Sequence, residues 1–133
     1  MIDYAEILKK NAHGVLATRN GEKIETRVFL CLFAEDGKLF FSTDGGKNVY
    51  AQLVSNPAAS FCAFSHDYNP VLSANGQAVI VDDAETRKRA FEAFPMTAKR
   101  YGSPDNPAFK VFYIAVEEFK TYSFAEGSKT YTA

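Results

Sequence analysis

The residue types most suited to chemistry lie between an apolar strand and a helical pattern, over residues 39–57. Two phenylalanines lead into Ser42 and Thr43, and two glycines then precede Lys47. Glycines let the backbone approach a ligand, N–H groups at a helix start point outward, and lysine adds a compact positive charge. This spacing is suited to holding a phosphate. An ordinary surface helix capped by Thr43 or Asp44 gives the same pattern, so both interpretations stay open.

Two histidines and two cysteines are the other candidate chemical groups. His66 lies in a Ser-His-Asp turn, and His13 begins a predicted strand. Histidine can exchange a proton near neutral pH, although hydrogen bonding within the turn is the simpler role for His66. Cys31 and Cys62 lie in apolar runs, where cysteine behaves as a small buried hydrophobe. None of these residues has metal-ligand spacing, so we predict no metal site.

Length and composition indicate the class of protein. The 133 residues predict a single domain over 1–133, and the 12 phenylalanines and 7 tyrosines predict a β-rich fold with an aromatic core. With 15 basic and 16 acidic residues the net charge is −1, which disfavours nucleic acid or an anionic membrane as partner. We find no apolar segment of membrane-spanning length and no secretion signal, so we expect a cytoplasmic protein.

The apolar patterns predict mainly antiparallel strands with short helices. Helical spacing predicts helices over residues 2–11, 47–55 and 87–94, and alternation predicts strands over 13–19, 23–33, 38–42, 58–65, 71–81 and 108–119, the last extending to 124. Asn20-Gly21 and Asp36-Gly37 predict hairpin turns, so the first three strands are expected to form a meander. We expect a loop with a helical turn over 95–107 and a polar tail over 125–133. The predicted fold class is α+β, mainly β, as a closed or half-closed antiparallel barrel.

Several of these segments stand in the order found in a known family. Thr26-Arg27-Val-Phe-Leu30, Phe40-Phe-Ser-Thr43, Lys47, Asn56-Pro57 and Gly76-Gln-Ala78 resemble the FMN-binding split-barrel family typified by pyridoxamine 5′-phosphate oxidase. The match runs from about His13 to Phe124, and it is most similar to the nitroimidazole-reductase-like branch. The resemblance implies an antiparallel split β-barrel of the FMN-binding type.

The resemblance also implies site residues and a reaction class. It assigns the FMN phosphate to Arg27, to Ser42 or Thr43, and to Lys47, and it assigns the flavin ring to backbone groups of Val28, Phe29 and Leu30. It implies a homodimer with FMN between the subunits, with Tyr101, Tyr122 or Phe124 of the partner subunit near the ring. It implies an oxidoreductase that acts on a small molecule with NADH or NADPH, and His66 is the candidate for the histidine that the branch places near the flavin.

The sequence departs from the oxidase at several positions. Leu32, Gly46 and Val71 stand where the oxidase has a lysine, a second basic residue and a glutamine, and tryptophan is absent. We therefore do not expect oxidation of vitamin B6. The alternative is a non-catalytic member of the fold: a flavin carrier or sensor, a haem protein that uses His13 and His66, or a dimeric barrel without a ligand.

Overall fold

The computed structural model describes residues 2–133, which form four helices and eight strands. The helices are α1 (Tyr4–Lys10), α2 (Asn48–Ser55), α3 (Ala84–Ala93) and α4 (Met96–Tyr101). The strands are β1 (His13–Asn20), β2 (Lys23–Leu30), β3 (Phe33–Glu35), β4 (Lys38–Asp44), β5 (Ala58–Phe64), β6 (Val71–Val81), β7 (Phe109–Ser123) and β8 (Gly127–Thr132). The predicted fold class, mainly β with short helices, is confirmed.

All eight strands belong to one antiparallel sheet. The order is β2-β1-β5-β6-β7-β4-β3, and β8 pairs with β7. β2 and β3 lie at opposite edges of this sheet, although only Cys31 and Leu32 separate them in the chain. The N–H of Cys31 donates to the Ala12 carbonyl and that of Leu32 to the Phe40 carbonyl, both at 2.8 Å. The chain thus passes from one edge to the other and leaves the barrel open between them, which is the predicted split-barrel arrangement.

Two predictions about the first strands are wrong. The strand predicted over 23–33 is two strands, and the expected meander does not form because β4 pairs with β7 and β3, not with β2. Phe41 lies opposite Phe112 in the β4–β7 ladder. Alternating apolar residues indicate which side chains are buried, but they do not indicate which strand lies alongside.

Both predicted hairpin turns are present, with the backbone conformations that their residues favour. Asn20 pairs with Lys23 across a turn in which Gly21 has a φ of 63°. Asp36 and Gly37 connect β3 to β4 with φ values of 52° and 72°. Two successive positive φ values are typical of a type I′ turn, which matches the twist of antiparallel strands.

Phenylalanines fill the core, as predicted, and the structure places them on both faces of the sheet. Phe41 is fully buried, and its ring lies 4.9 Å from that of Phe61 and 5.3 Å from that of Phe112 between centroids. On the opposite face Phe40 and Phe109 belong to a second buried cluster that packs against α3 and α4. Alternation along β4 therefore divides its side chains between two cores.

The C-terminal third differs from the prediction at its end. The segment predicted as a loop with a helical turn contains α4, which confirms the turn. The predicted polar tail is wrong, because residues 127–132 form β8, with Ser123 opposite Gly127 and Glu118 opposite Thr132. Most β8 side chains are exposed, so its sequence carries no apolar alternation.

Candidate functional site

A groove of about 770 Å³ brings together four of the predicted binding residues. One wall is β2, and the other is the segment that begins α2. The lining includes Arg27, Val28, Phe29 and Lys47, together with residues 25, 26, 46, 48, 49 and 52. The four residues were assigned to one site only by the family resemblance, and the structure shows that they are neighbours in space. They are so even though β2 and α2 are not consecutive elements.

Arg27 is held on the interior side of β2 by several acceptors. Its Nη1 donates to Thr18 Oγ1 at 2.7 Å and to the Leu16 carbonyl at 3.4 Å, while Nη2 donates to Gln52 Oε1 at 2.9 Å. Burial lowers the pKa of Arg27, and the Glu25 carboxylate opposes this change. Three of the five guanidinium N–H groups are occupied, so two are left for a ligand. A guanidinium fixed in this way is preorganised for a phosphate.

Lys47 supplies the second positive charge of the groove. It is exposed and stands at the N-cap position of α2, with an extended backbone and no side-chain capping bond. The first turn of a helix leaves N–H groups without intrahelical acceptors, and these favour an anion. The structure does not support the alternative interpretation, in which Thr43 or Asp44 caps this helix.

Ser42 and Thr43 lie outside the groove lining and point to opposite faces of β4. Thr43 shares the interior face of Phe41, whereas Ser42 shares the face of Phe40. The Thr43 hydroxyl is buried, with no hydrogen-bond partner among residues 2–133. The Thr43 Oγ1 is therefore a buried hydroxyl whose hydrogen-bonding capacity the described residues leave unused.

The three residues predicted to contact a flavin ring lie along an edge strand. β2 pairs with β1 on one side and ends the sheet on the other, so part of its backbone is free to bind a ligand. Val28 is 70% exposed on the outer face, while Phe29 packs against Phe41 with centroids 6.0 Å apart. Leu30 lies opposite His13 and is not in the groove lining.

His66 is not brought to the groove. It is exposed in the turn between β5 and β6, which is held by Ser65, Asp67 and Asn69. The Ser65 hydroxyl donates to Asp67 Oδ1 at 2.6 Å and accepts from the Asn69 N–H at 3.0 Å. His13 is exposed at the start of β1. The assignment of His66 as a proton donor therefore stays a prediction.

Asp44 connects the segment before Lys47 to α4. Its Oδ1 accepts from the Gly46 N–H at 2.9 Å, and its Oδ2 accepts from the Tyr101 hydroxyl at 3.2 Å and from Arg100 at 3.3 Å. Tyr101 lies in the segment predicted as a loop with a helical turn. It ends α4, and its ring packs 5.3 Å from that of Phe109 between centroids. Asp44 thus fixes the backbone at the edge of the groove.

Asp44→Asn is expected to reduce the acid sensitivity of folding. The hydrogen bond from Gly46, assisted by Arg100 and Tyr101, lowers the pKa of Asp44. Such a carboxylate contributes stability above its unfolded-state pKa of about 3.9, and this contribution is lost as the pH falls through its lower folded-state pKa. The melting temperatures of wild type and variant should therefore differ at neutral pH and converge in acid. Thermal unfolding at decreasing pH measures this, with exposed Asp82→Asn as control, and a constant gap would contradict it.

Two other features are absent from residues 2–133. No group of three or more His, Cys, Asp or Glu side chains there is placed to hold a metal ion. No helix in that range combines the length and apolar character needed to cross a membrane. The cysteines are free, with Cys31 buried, and burial raises the pKa of the Cys31 thiol to about 12.

Gln52, Thr18 and Glu25 are the neighbours of Arg27 that sequence reasoning did not select as site residues. Gln52 and Thr18 are buried polar side chains, each bonded to the guanidinium. One signal in the sequence marks Gln52: it falls between Val49 and Leu53 on the buried face of α2. A polar residue on an apolar helix face needs a buried partner.

Solved structures with the same fold support this description of the barrel. A NimC/NimA family protein from Clostridium acetobutylicum is 26% identical with a TM-score of 0.84, and the alignment covers 98% of this chain and 91% of that one. An FMN-binding protein from Nostoc punctiforme, related to pyridoxamine 5′-phosphate oxidase, is 13% identical with a TM-score of 0.73 over 98% and 94% of the two chains. A heme-binding protein from Mycobacterium smegmatis is 19% identical with a TM-score of 0.75, over 95% of this chain and 55% of that one.

Comparison of sequences gives the family. No curated protein matches the chain significantly. The sequence profile of pyridoxamine 5′-phosphate oxidase matches residues 3–123, which include both walls of the groove and all the strands except β8. The chain belongs to the pyridoxamine 5′-phosphate oxidase family.

Proposed function

We propose that this protein is an FMN-dependent oxidoreductase in which Arg27 and Lys47 anchor the flavin phosphate. The observation that carries the proposal is the meeting of these two cations in one groove beside the free edge of β2. An arginine with spare N–H groups, a lysine and an uncapped helix start are together suited to a phosphate monoester. Thr43, whose hydroxyl has no hydrogen-bond partner within residues 2–133, is the further donor in this proposal. Ser42, on the other face of β4, is the alternative that the resemblance left open.

The flavin ring would lie along β2, against backbone groups of Val28, Phe29 and Leu30. Its position at the sheet edge leaves peptide groups available, and Phe29 closes the groove toward the core. When bound, FMN supplies two-electron redox chemistry, so the chain itself provides binding, orientation and exclusion of water. The volume of about 770 Å³ is within the range of small-molecule and cofactor sites.

The proposed reaction transfers electrons between a nicotinamide cofactor, NADH or NADPH, and a small molecule. Under anaerobic conditions, we expect either nicotinamide to bleach the absorbance of bound FMN, and a nitroaromatic, a quinone or oxygen to restore it. We propose His66 as proton donor, so His66→Ala should slow turnover while FMN affinity stays unchanged. An unchanged rate would assign His66 to the turn alone. Tightly bound flavin that neither nicotinamide reduces would contradict the proposed donor.

We also propose a homodimer that shares the site, in the cytoplasm. Ile24 and Val28 are 73% and 70% exposed on the outer face of β2, and Phe124 is 97% exposed. Tyr122 and Phe124 line a second cavity of about 550 Å³ with residues 67–69, 71 and 125. Exposed apolar patches of this kind are typical of protein interfaces. The free state of both cysteines is in keeping with a reducing compartment.

Light scattering should give twice the chain mass of 14.7 kDa at micromolar concentration. Val28→Lys should shift the protein to the monomer, because it places a charge on the outer face of β2. Lys23→Ala, at the start of the same strand, is the control for a change of charge. A wild-type monomer, with and without FMN, would overturn the shared site.

The competing function is a haem carrier or sensor of the same fold. The observation that favours it is the ladder between β1 and β5, in which Gly14 lies opposite Ala63. This register puts His13 and His66 at the same end of the two strands. A purified protein with a flavin spectrum supports the first proposal, and a Soret band lost in His13→Ala supports the second.

A further inference from the structure

The Gln52 side chain lies between two groove residues of opposite charge. Its Oε1 accepts from Arg27 Nη2 at 2.9 Å, and its Nε2 donates to Glu25 Oε1 at 3.1 Å. The Thr18 hydroxyl donates to the same Oε1 at 2.6 Å. Because two donors point at one end of the amide, its oxygen must face Arg27 and its nitrogen must face Glu25.

This arrangement separates a carboxylate from a guanidinium that stand on the same strand face. Glu25 and Arg27 are two residues apart on β2, so their side chains leave the same side of the sheet. The ion pairs found among residues 2–133 include neither of them. Glu25 instead accepts from two amides, those of Gln52 and Asn20. Arg27 is therefore held by neutral acceptors.

We propose that Gln52 positions Arg27 for an external phosphate by keeping it out of a direct ion pair with Glu25, and that Glu25 limits the strength of phosphate binding. The inference rests on the proposed FMN site and adds the residues that set its affinity for a phosphate monoester. It assigns Gln52 as a positioning residue and Glu25 as a determinant of specificity.

Charge explains both roles. A carboxylate in direct contact with Arg27 would compete with a ligand phosphate for the same planar donors. Held one amide away, Glu25 leaves those donors available but still repels a phosphate in the same groove. The groove thus combines two cations with one carboxylate, which favours a phosphorylated ligand less strongly than the cations alone would.

Glu25→Gln tests the second role. Glutamine keeps an acceptor for Gln52 and Asn20 but removes the negative charge. We expect FMN to bind roughly three- to tenfold more tightly, with riboflavin affinity unchanged, because riboflavin lacks the phosphate. Quenching of flavin fluorescence measures both dissociation constants. Glu92→Gln, on the exposed face of α3, is the control with the same change of net charge.

The exchange of both residues, Glu25→Gln with Gln52→Glu, tests the first role. It keeps composition and net charge, but it puts the carboxylate directly against Arg27. The preference for FMN over riboflavin should fall at least tenfold, because the ion pair occupies the phosphate donors. A structural defect alone would weaken both flavins alike, and a thermal melt identifies a variant that does not fold, in which case Glu25→Gln decides.

The outcomes separate this inference from the proposed function. An unchanged FMN preference in Glu25→Gln, or a preference retained in the folded exchange variant, overturns the inference while FMN binding stands. A wild-type protein that binds FMN no better than riboflavin overturns the phosphate site itself, and the inference with it.

Discussion

Replacing Arg27 or Lys47 by alanine is expected to weaken FMN binding by roughly 10- to 150-fold while riboflavin binding changes far less. Each substitution removes charge-assisted hydrogen bonds to the phosphate, worth roughly 1.5–3 kcal/mol. Without Arg27, Gln52 still bonds to Thr18 and to Glu25 of β2, so the two walls of the groove stay connected. Any remaining effect on the groove should reach both flavins equally, and the ratio of the two affinities isolates the phosphate.

Two matched variants make this experiment specific. Arg27→Lys keeps the charge but loses the planar pair of donors, so FMN affinity should be intermediate. Lys88→Ala removes an exposed lysine from α3, outside the groove, and should leave both affinities unchanged. Equal losses for FMN and riboflavin in Arg27→Ala and Lys47→Ala would mean that these residues support the fold or the ring.

Phe41→Ala is expected to lower the free energy of unfolding by about 3–5 kcal/mol. The side chain is fully buried, and its ring contacts those of Phe29, Phe61 and Phe112. Phe41 and these three rings come from four different strands. Because the sheet fixes their positions, the neighbouring side chains cannot move in to fill the cavity that alanine leaves. Urea unfolding without ligand measures this loss of stability. The substitution should also reduce FMN affinity, because Phe41 packs against Phe29, which lines the groove.

The size of the side chain provides the control for that measurement. Phe41→Leu keeps most of the buried volume and should cost clearly less than alanine. Val54→Ala removes an apolar group that is exposed on α2, so stability should change by about 0.5 kcal/mol or less. A loss below about 1 kcal/mol for Phe41→Ala would show that the aromatic cluster is not the centre of the core.

Local sequence signals predicted the elements well and the pairing of strands poorly. The turn at Asp36-Gly37 was predictable because few residue pairs adopt two successive positive φ values. The Asp83 carboxylate caps α3 by accepting from the Thr86 N–H at 2.8 Å, a position at which aspartate is favoured. The neighbour of β4 was not predictable, because Phe41 can face any other apolar strand. β8 was missed because an exposed edge strand needs no apolar face.

The candidate site was predicted only in part: its charged residues were identified, but the residue that holds Arg27 was not. Arg27 and Lys47 were identified through a family resemblance, and the structure places both in one groove. Ser42 and Thr43 could have been separated from the sequence, since residues two apart on a strand share a face and Thr43 follows Phe41 at that spacing. Gln52 is recognisable as a polar residue on the apolar face of α2, but its partner Arg27 lies on a distant strand, so no local pattern identifies the pair.

The pairing of β4 with β7 also determines how the protein acquires its groove during folding. Leu39 meets Ile114, and Leu16 meets Phe61, so the ladders behind the two walls join residues that are far apart in the chain. Closing such long loops costs entropy before the new contacts compensate, which is why topologies of this kind fold in milliseconds to seconds. The groove therefore needs the ladders behind both of its walls to be in place. A ligand held there therefore opposes global unfolding and not merely the fraying of one strand.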